Sequence, residues 1–176
     1  MNRINNIIKN QRYLKYIEKI NFYEKNRVFC RHDVTHFLDV CRLAEIEWLG
    51  QQLSPSEKKE VKNANPMKFS KISRELIYAA GLLHDIGRWQ EYENEISHEI
   101  ASANLAPAIL EESGFVKEEI EMIVEVIKNH RNPLMEEEAG LSGILYRADK
   151  KSRPCFLCLA EKECNWSKSK KNLEIR

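Results

Sequence analysis

The chain has 176 residues, 43% of them hydrophobic and 31% charged. That is the size of one domain and short for two. The 28 Lys+Arg nearly balance the 27 Asp+Glu, leaving a formal charge of +1, which speaks against a coat for a nucleic-acid polymer and against a polybasic membrane binder.

The opening residues, Met1-Asn2-Arg3-Ile4-Asn5-Asn6, are polar and lack an apolar leader. No apolar run approaches the ~18 residues that span a bilayer. Five cysteines without an export signal are expected to be reduced thiols of a cytoplasmic protein. Ile4, Ile7, Ile8, Tyr13, Ile17 and Ile20 recur near helical spacing and predict a helix from Arg3 to Lys25. Val34, Phe37, Leu38, Cys41, Ala44 and Trp48 form one face of a second helix, about Asp33 to Leu53. The polar stretch from Ser54 to Lys68 is expected to be a mobile loop. Ser73 is the N-cap of a third helix running from Arg74 to about Ile86. That helix is apolar nearly all round, so it belongs at the centre of the fold.

Trp89 to Asn94 reads as a loop, and a fourth helix runs from Ser97 to Ser113, where Pro107 is expected to kink or split it. Lys117 to His130, Leu141 to about Ser152, and a short piece from Pro154 to Cys164 complete the helices. No sustained strand-like alternation occurs. The expected fold class is all-α, a single-domain helical bundle. Residues 1–30 form an N-terminal helix on the core, 31–153 the principal domain, and 154–176 a short helix and tail of the same globule.

His84-Asp85 ends the most apolar helix, where burying an unpaired carboxylate is costly unless a partner such as a divalent metal compensates. Alternatively, the Asp caps a neighbouring helix and the His bonds a backbone carbonyl. His32 and His36 lie four apart at the start of the second helix, and so share a face. His98 opens the fourth helix, His130 closes the fifth, and Asp149 ends the sixth. A bundle gathers such ends at one mouth. Imidazole nitrogen with carboxylate oxygen suits Fe, Mn, Co, Ni or Zn and argues against an all-oxygen Ca or Mg site.

The order His36, His84-Asp85, Asp149 resembles the H…HD…D metal motif of the HD-domain superfamily, over roughly Arg31 to Arg153. The strings Arg31-His32-Asp33-Val34-Thr35-His36, Leu82-Leu83-His84-Asp85-Ile86-Gly87-Arg88 and Tyr146-Arg147-Ala148-Asp149-Lys150 carry that resemblance. It implies a helical bundle of the HD type with a first metal on His36, His84, Asp85 and Asp149. His98 and His130 fall where dinuclear branches of the superfamily have two more ligands, with Asp85 bridging. The blander readings remain a satisfied His98 ring at a helix start and a His130 that complements a helix C-terminus. The spacing His32-x-x-x-His36-x-x-Asp39-Val40 is similar to a stretch of cyclic-nucleotide phosphodiesterases whose first His protonates the leaving group, although Asp33 stands where those enzymes have Asn.

The resemblance implies a metal-dependent phosphohydrolase with one or two divalent ions, cleaving a small phosphoester by attack of a metal-activated hydroxide. A nucleotide is the favoured substrate. Asp85 and His32 would be the catalytic residues, and Arg88, Arg131 and Lys150 the substrate-binding ones; the alternative for these cations is a solvated position at a helix end. Trp89 and Tyr92 would either wall the site or pack. Alternatives of other classes are a dinuclear-iron oxygenase of the HD fold and a non-catalytic, metal-containing ligand sensor. Association with a second copy of the chain stays open. Cys155-x2-Cys158-x5-Cys164 has a spacing that can hold zinc or an iron–sulfur cluster, but shows no fourth ligand nearby. Reduced, partly buried thiols in a packing element are the favoured reading of these residues.

Overall fold

A computed structural model describes residues 1–53 and 72–174. Residues 54–68, expected to be a loop, lie outside the described residues. Eight α-helices and no strand occur among the described residues. They are α1 (Asn2–Lys9), α2 (Gln11–Tyr23), α3 (Val34–Leu53), α4 (Arg74–Leu83), α5 (Arg88–Asn94), α6 (His98–Glu112), α7 (Lys117–Asn129) and α8 (Leu141–Lys151). Short 3-10 turns cover Pro133–Met135 and Cys155–Leu157. The all-α expectation holds, and none of these helices is long and apolar enough to cross a membrane.

The N-terminal segment is two helices, not one. Asn10 ends α1 with an extended backbone, and its side chain accepts hydrogen bonds from the amides of Arg12 and Tyr13. Asn competes for backbone donors in this way and so favours caps over helix interiors. Asp33 begins α3 by accepting from the His36 amide at 3.0 Å, and Ser73 begins α4 by accepting from the Leu76 amide at 3.3 Å.

Helix α4 is the central element. Leu76, Ile77, Ala79, Ala80, Leu82 and Leu83 are all buried, and α4 packs against α1, α3, α6, α7 and α8. Gly81 permits the approach of α3: a Cβ there would lie 2.5 Å from Cys41 Sγ. Gly87 does the same for α6, since a Cβ would meet Ala101 at 2.6 Å. A single apolar cluster runs from Ile4 and Ile7 of α1 to Leu145 and Ala148 of α8.

Three local expectations need correction. Trp89–Asn94 lies within helix α5 rather than a loop; only Trp89 of it is buried, so it carries no apolar periodicity to read. Helix α6 runs unbroken through Pro107, held by the burial of Ala103, Ala106, Ile109 and Leu110 on either side. Residues from Pro154 to Cys164 form only the 3-10 turn Cys155–Leu157, because exposed Phe156, Leu157 and Leu159 give a helix no face to bury.

Candidate metal centre

Six side chains from five helix ends converge. His36 comes from the first turn of α3, His84 and Asp85 from the end of α4, and His98 from the first residue of α6. His130 caps α7, and Asp149 comes from the last turn of α8. All six are buried. One ligand atom each of His36, His84, Asp85 and Asp149 lies within 4.8 Å of the others, as do those of Asp85, His98 and His130. Asp85 belongs to both groups and divides its oxygens between them. Its Oδ2 is 3.1 Å from His84 Nε2 and 3.6 Å from His36 Nε2, while its Oδ1 is 3.3 Å from His98 Nε2 and 3.4 Å from His130 Nε2. Asp149 Oδ1 completes the first group at 3.4 Å from His36 Nε2.

Each ring turns Nε2 inward because its Nδ1 has an acceptor outside. His84 Nδ1 donates to the Gly81 carbonyl at 2.7 Å, and His130 Nδ1 to the Ile127 carbonyl at 2.6 Å. Both are carbonyls freed by the end of the helix. His36 Nδ1 donates to Ser152 Oγ at 3.1 Å, whose own proton goes to the Asp149 carbonyl. His98 Nδ1 donates to the Glu91 carboxylate. Fixing the proton on Nδ1 leaves a lone pair on Nε2, the arrangement that metal-ligating histidines need.

The electrostatics of the centre also favour a cation. His84 Nε2, Asp85 Oδ1 and Asp149 Oδ1 are buried without hydrogen-bond partners, a costly state for polar atoms. Burial opposes the charge on Asp85 and Asp149, but the surrounding imidazoles, together with Lys150 and Arg153 for Asp149, outweigh it and hold both well below the usual carboxylate range. Burial likewise disfavours charge on His84, yet Asp85 and Asp149 raise it to about 10. The site attracts positive charge, and its nitrogen–oxygen donor set fits a divalent transition ion.

His32 stands at the edge, its Nε2 3.9 Å from Asp85 Oδ2. Glu24, at the end of α2, holds it: the carboxylate accepts from the His32 amide at 2.7 Å and from Nδ1 at 2.5 Å, and also from Tyr92 Oη at 2.8 Å. Burial lowers His32 to about 4, while the His32 bonds outweigh burial and hold Glu24 at about 2. Neither Glu24 nor Glu91 stands out in the sequence. Both are ordinary carboxylates outside the quoted strings, whose partners only the fold supplies.

Of the expected substrate-binding cations, Arg88 is largely buried, with Nη1 2.5 Å from Glu91 and Nε 3.8 Å from Glu24. Arg131 is half exposed and 3.3 Å from Glu99, and Lys150 is 2.5 Å from Asp149 Oδ2. Arg153 reaches deeper: its Nη2 is 2.9 Å from His36 Nε2, and its Nη1 donates to the Arg31 carbonyl at 3.0 Å. Trp89 packs on Tyr16 with ring centroids 5.9 Å apart, whereas Tyr92 lies against Glu24.

Comparison with known families finds a match to the HD domain over residues 33–162. The chain belongs to the HD-domain family. A relative from Clostridium beijerinckii, itself an uncharacterized protein, is 38% identical over 175 residues, covering 99% of each chain. No solved structure matches the chain. The H…HD…D order read in the sequence, His36, His84-Asp85 and Asp149, forms one of the two groups, and His98 and His130 join Asp85 in the other.

Proposed function

We propose that this HD-family chain is a metal-dependent phosphohydrolase acting on a small phosphoester, with a nucleotide as the favoured class. The observation that carries this reading is the divided carboxylate of Asp85, with two imidazole Nε2 atoms on each oxygen and orphaned polar atoms between them. His36, His84, Asp85 and Asp149 would hold one divalent ion, and Asp85, His98 and His130 a second. Bound there, such ions supply Lewis acidity toward phosphoryl oxygens and a water acidified toward neutral pH.

The chain's own groups do the rest. Glu24 occupies His32 Nδ1, so Nε2 is the one ring atom that can exchange a proton with a departing oxygen. Arg153 donates to the same His36 lone pair that an ion needs. With an ion held there, Arg153 would be free to turn toward a phosphate, together with Lys150 and Arg131. Arg88 is committed to Glu91 and Glu24, so its part is to position them.

The test is phosphate release from aryl phosphates and a panel of nucleotides by protein shown to be loaded with Mn, Fe, Co, Ni or Zn. His32→Ala is expected to slow substrates with poor leaving groups far more than p-nitrophenyl phosphate. Absence of turnover from loaded protein refutes the reading. Substrate-dependent O₂ uptake by iron-loaded protein without phosphate release would select the oxygenase alternative. A site that raises thermal stability with no reaction would select the sensor.

A further inference from the structure

Residues 155–174 follow a defined path with little to hold it. The segment has one 3-10 turn and contributes nothing to the apolar cluster, and Phe156, Leu157 and Leu159 are exposed. Ordering each residue costs about 1–2 kcal/mol of backbone entropy, while a typical hydrogen bond returns about 1. Few of its hydrogen bonds reach the rest of the chain. Asn172 Nδ2 donates to the Lys150 and Arg153 carbonyls at 2.7 and 2.9 Å, the Phe156 amide donates to the Asn172 carbonyl, and Lys171 binds Glu161. An irregular segment without a core calls for a cross-link or an ion.

Three of the five cysteines lie in this segment, and a fourth lies in a loop fastened to it. Cys155 and Cys158 are joined by the 3-10 turn, with the Cys158 amide donating to the Cys155 carbonyl at 3.1 Å. One such turn keeps the two residues close along the chain. The chain bends again at Cys164, whose amide donates to the Glu161 carbonyl at 3.3 Å. The fourth cysteine, absent from the local sequence pattern, is Cys30 in the loop before α3. Arg153 fastens that loop here: it donates to the Arg31 carbonyl, and its own carbonyl accepts from the Cys155 amide at 2.9 Å. Burial raises the Cys30 thiol, Arg153 opposes this, and the nearby Cys158 and Cys155 add to it; Lys171 lies within reach of both Cys164 and Cys155. All five cysteines are free, and the fifth, Cys41, is a core residue against Gly81.

We propose that Cys30, Cys155, Cys158 and Cys164 form a structural tetrathiolate zinc site that ties the loop before α3 to the C-terminal segment. Four sulfur donors without an open position suit tetrahedral zinc. Arg153 and Lys171 offset the net negative charge of such a centre. No three of these sulfurs group within 4.8 Å of one another as the His/Asp donors do, so an ion would have to draw turn and loop together. The site replaces the missing core and holds Arg153 and the His32 loop in place. It does not depend on the His/Asp centre or on its reaction.

Cobalt substitution of the full chain tests it. The expected result is a near-ultraviolet thiolate-to-cobalt charge-transfer band, which the His/Asp centre cannot produce. Under reducing conditions the native protein should hold back four thiols from a thiol reagent until a chelator is added. Cys30→Ser and Cys158→Ser should each lose the band and one equivalent of zinc, and Cys41→Ser neither. No band in wild-type protein, four freely reacting thiols in the native chain, a disulfide among these residues, or visible iron–sulfur absorption would each overturn the proposal. The wild-type measurements decide it even where a variant fails to fold.

Discussion

Glu91 offers the sharpest probe of the centre, because it touches one half alone. Its carboxylate takes the His98 Nδ1 proton, and this bond is the main reason its pKa falls to about 2. Glu91→Gln replaces a charge-assisted hydrogen bond, about 1.5–3 kcal/mol, by a neutral one of about 1. Glu91 is 32% exposed, so solvent trims the difference toward its lower end. About a two- to fourfold loss of metal affinity in the His98–His130 half is expected. Glu91→Ala should approach 100-fold, near the upper range for a partner of a ligating His. Arg88 Nη1, 2.7 Å from His98 Nδ1, adds to the loss. Without Glu91 it donates to Nδ1 and drives the ring proton to Nε2, the atom an ion needs. Arg88→Met in the Glu91→Ala background should therefore restore part of the affinity. The other half takes its Nδ1 acceptors from Gly81 and Ser152 and should not change. Stepwise competition of Co(II) or Mn(II) against a chromophoric chelator separates the two affinities. Equal weakening of both halves, or of neither, refutes the assignment of Glu91 to His98.

Gly81→Ala would press a methyl group onto Cys41 Sγ, and about 1–3 kcal/mol of destabilisation is expected from overpacking; Gly81→Ala with Cys41→Ala should recover much of it in thermal melts. Saturating metal at 100 times its dissociation constant should stabilise the chain by about 2.7 kcal/mol, read as a chelator-reversible rise in melting temperature. A carboxylate depressed on folding stabilises fully above its unfolded pKa and loses that contribution as pH falls through the folded value. Glu24, at about 2 against an ordinary 4.5, should thus steepen the loss of stability between those pH values. In chelator-treated protein, Glu24→Gln should flatten that limb of the urea midpoints.

What the sequence disclosed, and what it did not, follows the range of the forces involved. The apolar residues of α4 marked it as central because burial all round requires side chains apolar all round. The ligands were legible because they sit at helix ends that caps and periodicity locate. Asn10 was hidden because a single cap inside a polar run looks like surface. Helix α5 was hidden because its one buried residue, Trp89, makes no period. Glu24 and Glu91 were illegible for a different reason: each acts on a histidine brought to it by packing, at 2.5 Å or closer, and no local pattern encodes that meeting. Cys30 escaped the C-x2-C-x5-C pattern in the same way.

The divided carboxylate of Asp85 makes the two halves thermodynamically partners. Whatever an ion in one half does to the affinity of the other, the second must do to the first by the same factor. If each half holds an ion as proposed, the first would orient the Asp85 carboxylate for the second. It would also withdraw electron density from that carboxylate and set a like charge close by. The second effect opposes the first, so filling should proceed in two separated stages rather than one. Across a broad span of free metal the chain would then hold a single ion, and the supply of the second becomes a means of setting how much of the protein is complete.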